Sequence, residues 1–327
     1  MRDFTGTDYR RHKGKIMARM TLRSKLILGG ITLVLIPVTF VSLFSVIKAT
    51  NSLDSAAREK FASLAKSYAV MTRVALSEEL KIVRGLSARP YIVDLASAVA
   101  KNGVSNSEDE INQLVRELSQ FKQQNGDDYE SIALCGSDGI VYADATNTAR
   151  GVNIANREYF KTAMQGKLNI GTVVKSRLTG NPILPICSPI LSNTGEVVGA
   201  LSSFLRPDFF DHISNTKIGL TGYGFLVDQN GILIAHPNKD LILKTNMKTL
   251  VGMEEITRKA LGHEAGAETY FYANEEKIGG YAPVELTGWT VIVSGTAKEQ
   301  FAPVYALRNS LVIFGACLLY TSPSPRD

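Results

Sequence analysis

The residues able to make or break bonds are few and scattered. The four histidines are His12, His212, His236 and His263, and none stands with an acid and a nucleophile in a hydrolase-like set. His236 follows an apolar run in Ala-His-Pro-Asn, a setting that reads as structural rather than catalytic. Cys135 and Cys187 lie in strand-like stretches, SIALCG and LPICSP. They read as small buried residues, with a disulfide open to them in an oxidising compartment. No Cys-x-x-Cys or paired Cys/His spacing marks a metal site. The glycines of GLTGYG, from Gly219, lack the strand–helix context of a dinucleotide site, and no phosphate-binding loop occurs. The residues thus imply no enzyme, no metal and no cofactor.

Chemistry of another kind is written at the N-terminus. Residues 1–25 hold eight Lys and Arg against two Asp, a balance of +6, while the whole chain carries +5. The basic character is therefore confined to this tail, which argues against nucleic acid as a partner, since that needs a basic face on a folded domain. Residues 26–47, LILGGITLVLIPVTFVSLFSVI, are uncharged and 22 long. At roughly 1.5 Å per residue they match a bilayer core of roughly 30 Å. A cleaved signal peptide would have a shorter apolar core and a small-residue cleavage site, so a retained anchor in contact with membrane lipid is expected. The positive-inside rule keeps the tail cytoplasmic and exports the chain after Lys48.

Beyond the anchor, Leu53, Ala57, Phe61, Leu64, Tyr68, Met71 and Ala75 recur at helical spacings of three and four. This stripe serves packing against the folded domain, pairing with a second chain in a homodimer, or both. Helical character runs to Arg89, is interrupted at Pro90, and resumes over 91–101 and 108–123, so 48–128 reads as stalk and packing helices. At Tyr129 the period changes to that of strands. YESIALCGSDGIVYADA reads as a hairpin, a short helical excursion follows, and IGTVVKS, NPILPICSPILS and EVVGALSSFL read as a meander. The same order returns in GYGFLVDQNGILIAHP, a helix over 253–261, ETYFYANEEKIGGYAPV and GWTVIVSGTA. An α+β chain with two antiparallel-sheet modules, 129–214 and 215–307, is expected.

After Arg308 a run of about eleven apolar residues, SLVIFGACLLY, gives way to TSPSPRD. Eleven are too few to cross a bilayer. Residues 308–320 are read as the start of a truncated second membrane helix, residues 321–327 as a non-native tail, and those before Met17 or Met20 as an over-extended start.

SDGIVYADA, NREYFKTAMQGK, LTGNPILPICSPILSNTGEVVGAL, GLTGYGFLVDQNGILIAHPNK and TGWTVIVSGTAKEQFAPV, in this order behind an anchor, resemble the double Cache (dCache) extracytoplasmic sensor domain. That domain occurs in bacterial methyl-accepting chemotaxis proteins and related transmembrane receptors. The resemblance covers about 48–308. It implies a long N-terminal helix and two PAS-like modules, the membrane-distal one, 129–214, holding a small-molecule ligand. The family's Arg–x–Trp–Tyr ligand clamp falls on Arg157, Tyr159 and Phe160. Arg157 would grip a carboxylate and the two aromatics would form walls. The family's Tyr-x-Asp falls on Val174, Lys175 and Ser176, and a later strand acid falls near Leu201 and Ser202, so no acid stands at either place. A buried ammonium without a carboxylate is costly. The resemblance, so altered, implies a small organic acid rather than an ordinary amino acid, with Lys175, Ser176 and Ser202 completing the site.

The expected function is extracytoplasmic sensing and transmembrane signalling at the bacterial inner membrane, as part of a chemotaxis receptor. The alternatives are the sensor of a histidine kinase or cyclic-dinucleotide enzyme, a passive solute-binding or adhesion module and, most distantly, a membrane-tethered enzyme.

Overall fold

Strand alternation and turn chemistry produce two sheets with one shared strand order. The computed structural model describes residues 22–320; the basic tail through Thr21, the expected start sites at Met17 and Met20, and the 321–327 tail lie outside the described residues. The chain packs as two compact units, a larger one at Ser52–Pro303 and a smaller one made by the segments on either side of it.

In the larger unit the first sheet contains β1 (Tyr129–Gly136), β2 (Val141–Asp144), β3 (Asn169–Ile170), β4 (Val174–Lys175), β5 (Pro182–Leu191) and β6 (Val197–Leu205). Its order is β2-β1-β6-β5-β3, with β4 also on β5. The second sheet contains β7 (Tyr223–Val227), β8 (Leu233–Ala235), β9 (Gly266–Tyr272), β10 (Glu275–Val284) and β11 (Trp289–Thr296), in the order β8-β7-β11-β10-β9. Each is a hairpin whose first strand pairs with the last strand of a meander. All the pairs are antiparallel.

Helix α1 (Leu22–Ser87) precedes the sheets, and α2 (Pro90–Asn102) and α3 (Glu108–Gln124) come next. Pro90 occupies the first turn of α2, where its missing N–H is not needed, so it opens a helix as well as closing one. The buried positions of α1 include Ala57, Phe61, Ala65, Ala69, Thr72, Leu76, Glu79 and Val83. This line overlaps the expected stripe at Ala57 and Phe61; Leu64 and Tyr68 pack at its edge, while Met71 is exposed. One face of both sheets meets these helices in a common core containing Leu76, Ile132, Leu134, Leu201, Leu205, Trp289 and Val291.

The opposite face of each sheet carries its own short helix. On the first this is α4 (Glu158–Met164), whose Tyr159, Phe160 and Ala163 pack with Ala133, Cys187 and Phe204. A connector, α5 (Asp211–Ser214), precedes the second sheet, which is covered by α6 (Glu254–Leu261). The connector α7 (Ala297–Gln300) leads to α8 (Ala302–Tyr320), which starts upstream of the apolar run seen in sequence.

Two strand expectations need correction. ETYFYANEEKIGGYAPV is two strands, because Ala273 and Asn274 both take positive φ (54° and 61°) and turn the chain between β9 and β10. That is the backbone of a two-residue hairpin turn, here made without glycine. IGTVVKS is split into β3 and β4 opposite Pro185, which has no N–H to donate; the Gly171 N–H donates to the Pro185 carbonyl at 2.8 Å where the strand breaks.

In the smaller unit, the apolar part of α1 has a mean hydropathy of 2.3 in its most apolar window, with none of that window buried. Among the described residues α1 is the one helix long and apolar enough to cross a membrane.

Candidate functional site

Beneath the loop that precedes α4 lies a cavity of about 40 Å³. By the same measure a water needs roughly 10–15 Å³, so the pocket holds a few water-sized groups before its walls must move. The apolar lining comes from Ala133, Val141, Val152, Ile154, Ile183 and Phe204; Glu130, Ser131, Arg157, Ser176 and Arg177 are the polar groups.

Arg157 holds the N-cap position of α4 with extended backbone (φ −79°, ψ 133°). Its Nη2 donates to the Lys175 carbonyl at 2.9 Å, which fixes the guanidinium. Its Nε is buried and has no hydrogen-bond partner in the protein. A buried N–H without an acceptor is uncommon, and this one belongs to a residue of the cavity lining. Tyr159 packs edge-on against Phe204, ring centroids 6.1 Å apart at 75°, and burial pushes its phenol pKa upward. Ser176 Oγ accepts from the Leu178 N–H at 3.1 Å, closing a small turn. The same turn is tied to the loop before α4 by Arg177, which donates to the Asn153 carbonyl and Asn156 Oδ1.

Of the six residues expected from sequence, Arg157, Tyr159 and Ser176 line this cavity. The other three are placed elsewhere. Phe160 is buried in the core under α4. Lys175 points its side chain to solvent and meets Arg157 only through its carbonyl. Ser202 is buried and donates to Cys187 Sγ at 3.0 Å. Cys187 and Cys135 are free thiols, both buried, and burial raises the pKa of each, Cys187 to about 12.

Two charged groups of the lining were not expected from sequence. One is Arg177. The other is Glu130, a buried carboxylate that accepts from Thr179 Oγ1. Strict alternation along YESIALCG would put Glu130 with Ile132 and Leu134 on the helix-packed face. The register shows otherwise: Tyr129 pairs with Leu205 and Ser131 with Phe204, so Glu130 is the extra residue of a bulge. The bulge turns Glu130 into the cavity and leaves Tyr129 on the helix side. An acid at a nominal core position was the signal available in sequence.

On that helix side Tyr129 donates its hydroxyl to Glu79 of α1, at 3.0 Å to Oε1 and 2.8 Å to Oε2. Desolvation raises the Glu79 pKa, against the lowering effect of this hydrogen bond. Folded Glu79 therefore keeps its proton to higher pH than the unfolded chain does. Its contribution to stability is fully present below the ordinary carboxylate range and is lost as pH rises through the folded value. Glu79→Gln keeps an acceptor for Tyr129 and removes the titration. Melting curves taken from the ordinary carboxylate range upward in pH are expected to show a smaller loss of stability with rising pH in the variant; equal slopes would show that Glu79 contributes nothing to the pH dependence.

Among the described residues no group of three or more His, Cys, Asp and Glu is placed to hold a metal ion.

The fold has counterparts in known proteins. The methyl-accepting chemotaxis protein TlpA of Bacillus subtilis is 24% identical over 288 residues, which are 85% of this chain and 39% of that protein. The chain spans less than half the length of the curated relatives it matches. The ligand-binding domain of the Pseudomonas aeruginosa amino acid chemoreceptor PctB, solved with L-Arg, superposes with a TM-score of 0.55 at 17% identity, covering 76% of this chain and 98% of that one. The V. cholerae histidine kinase DctB sensor domain gives a TM-score of 0.58 at 13% identity, covering 76% and 98%. At such identities the two structures establish a shared fold. The dCache_1 family model, a Cache domain, matches residues 49–304, and the chain belongs to that family.

Proposed function

We propose that the chain is the sensor part of a transmembrane chemoreceptor and binds a small carboxylate in the cavity of its first module. The observation that carries this reading is Arg157 in the lining of that cavity, with a buried Nε that has no partner in the protein. Two guanidinium groups against one carboxylate leave the lining net positive, which favours an anion. Arg157 is suited to a carboxylate because its planar fork donates in a fixed geometry.

Glu130 changes the expectation about the rest of the ligand. The sequence argued against an ammonium because two strand positions lacked an acid. Glu130 supplies one from β1, and its carboxyl oxygens offer acceptors to a donor on the ligand. The ligand is therefore a carboxylate that also bears a donor, a hydroxyl or an ammonium, so hydroxy acids and amino acids both stand in the class. PctB's complex with L-Arg is compatible with this class.

Residues 129–214 serve as the membrane-distal module and 215–307 as the proximal one. Residues 26–47 anchor the chain in the inner membrane with the sensor exported, and 308–320 begin a second span. Val70, Met71 and Val74 of α1 are exposed and apolar, a surface for a homodimer partner. Ligand binding shifts the balance between two packings of the sensor against α1, and the output is kinase control. Thermal-shift screening of the full chain in detergent is the test. Saturable stabilisation by hydroxy or amino acids is expected, whereas a response only to compounds that carry no carboxylate would overturn the reading.

A further inference from the structure

Two consecutive residues of β1 serve opposite faces of the first sheet. Glu130 lines the cavity, and Tyr129 gives its hydroxyl to Glu79 of α1. All three residues are buried. The backbone between the two faces is the bulge, where Tyr129 pairs with Leu205, Ser131 with Phe204, and Glu130 with neither.

A residue held in an antiparallel ladder moves only by giving up cross-strand hydrogen bonds, whereas the extra residue of a bulge is free of that restraint. Both ends of this segment are fixed. The Arg206 N–H donates to the Asp128 carbonyl at 2.7 Å on one side, and the pairing resumes at Ser131 on the other. A pull on Glu130 is therefore taken up at Tyr129. Phe121 of α3 meets the Tyr129 ring edge-on, centroids 6.2 Å apart. That contact keeps the ring from swinging aside, so the hydroxyl carries the displacement to Glu79. Among the described residues the Glu79 carboxyl has no other hydrogen-bond partner, and in a buried setting a change in that one bond is strongly felt.

The other polar groups of the lining lead away from α1. Arg157 is tied to the Lys175 carbonyl, Arg177 to Asn153 and Asn156, Ser131 to Asp144, and Ser176 to its own turn. The apolar cluster under α4, which includes Tyr159, contains no residue of α1. On the cavity side Glu130 is held by Thr179 Oγ1, a bond with which a donor on a ligand competes.

We propose that the Tyr129–Glu130 bulge couples the cavity to α1: a hydroxyl or ammonium that draws on Glu130 re-aims Tyr129 and changes its hydrogen bond to Glu79. The ligand's part in this rests on the reading of the cavity given above; the coupling between the two faces does not. A carboxylate with no donor fills the Arg157 end and leaves α1 untouched, so occupancy and signal are separable.

The test labels the full chain, in detergent, with glutamate enriched at the side-chain carboxyl carbon, and assigns the Glu79 NMR resonance by its loss in Glu79→Gln. Thr179→Val frees Glu130 from its tether without changing the charge of the cavity. It is expected to shift the Glu79 resonance, and to leave it in place in a Tyr129→Phe background. Glu130→Gln is expected to do the same. A resonance unmoved by both substitutions, or moved equally with and without the Tyr129 hydroxyl, would overturn the coupling. Sodium glycolate, a carboxylate with one hydroxyl, is then added at ionic strength matched with sodium chloride, and sodium acetate, which has no donor, is run beside it. Glycolate is expected to shift the Glu79 resonance saturably and acetate to leave it unmoved. Glycolate that binds, by saturation transfer to its methylene protons, without moving Glu79 would also overturn the proposal. Absence of glycolate binding with the Thr179→Val shift intact would uphold the coupling and remove hydroxy acids of that size from the ligand class.

Discussion

Gly280→Ala is expected to lower the melting temperature by roughly 6–12 °C, the shift that a loss of about 3 kcal/mol produces in a unit of this size. The added Cβ would lie 2.0 Å from the Phe61 carbonyl oxygen and 2.2 Å from its carbon. These are backbone atoms of α1, so no rotamer change relieves the clash; the helix must move off β10. Phe61 is fully buried there, and its ring tip would lie 2.7 Å from a Cβ placed at Gly295 on the neighbouring strand. The two glycines form the notch into which the helix sets its phenylalanine. Moving the helix adds overpacking strain, typically about 1–3 kcal/mol, to a partial loss of Phe61 burial, about 1.5–3 kcal/mol when complete. Gly85 provides the opposite case. It lies within α1 with nothing near its would-be Cβ, so Gly85→Ala is expected to stabilise by about 0.5–1 kcal/mol through helix propensity. Calorimetric melts of both variants check the pair. A neutral Gly280→Ala would mean that the Phe61 turn of α1 does not sit on β10.

How much of the fold was legible in the sequence depends on where local pattern and long-range pairing agree. The two hairpins, the two excursions and the repeated order follow from alternation broken by Ser-Asp-Gly and Asp-Gln-Asn-Gly turns, and the strand order bears out the repeat. The Ala273–Asn274 turn was hidden because its positive φ values fall on residues without the glycine signature. The split between β3 and β4 depends on Pro185 of the partner strand, which is remote in sequence. The site divides in the same way. Arg157 and Tyr159 lie at the start of one short helix, where a segment resemblance carries over. Lys175 and Ser202 belong to strands whose facing is decided by pairing: Lys175 turns outward, and Ser202 is buried beside Cys187. Glu130 could not be placed by alternation at all, because the bulge that re-aims it exists only when β1 is set against β6.

Arg157→Ala is expected to weaken binding of the small carboxylate chosen by thermal-shift screening about a hundredfold. Losing one partner of a buried, hydrogen-bonded charge pair costs about 2–5 kcal/mol, and each 1.4 kcal/mol is about tenfold in affinity. The fold should tolerate the change, since the side chain's bond to the Lys175 carbonyl contributes only about 1 kcal/mol. Arg157→Lys should recover only part of the affinity, because an ammonium cannot hold that carbonyl and present a second donor in a fixed plane. Glu130→Gln separates the two ends of the ligand. It keeps an acceptor for Thr179 Oγ1 and removes the charge that an ammonium needs. Amino acids should therefore lose much more affinity than hydroxy acids of the same length, while a ligand with no donor should be unaffected. Isothermal titration of the three variants against matched amino and hydroxy acids decides the matter. Equal affinity of Arg157→Ala and the unmodified protein would remove the guanidinium from the site, and with it the reason to expect a carboxylate in the first module.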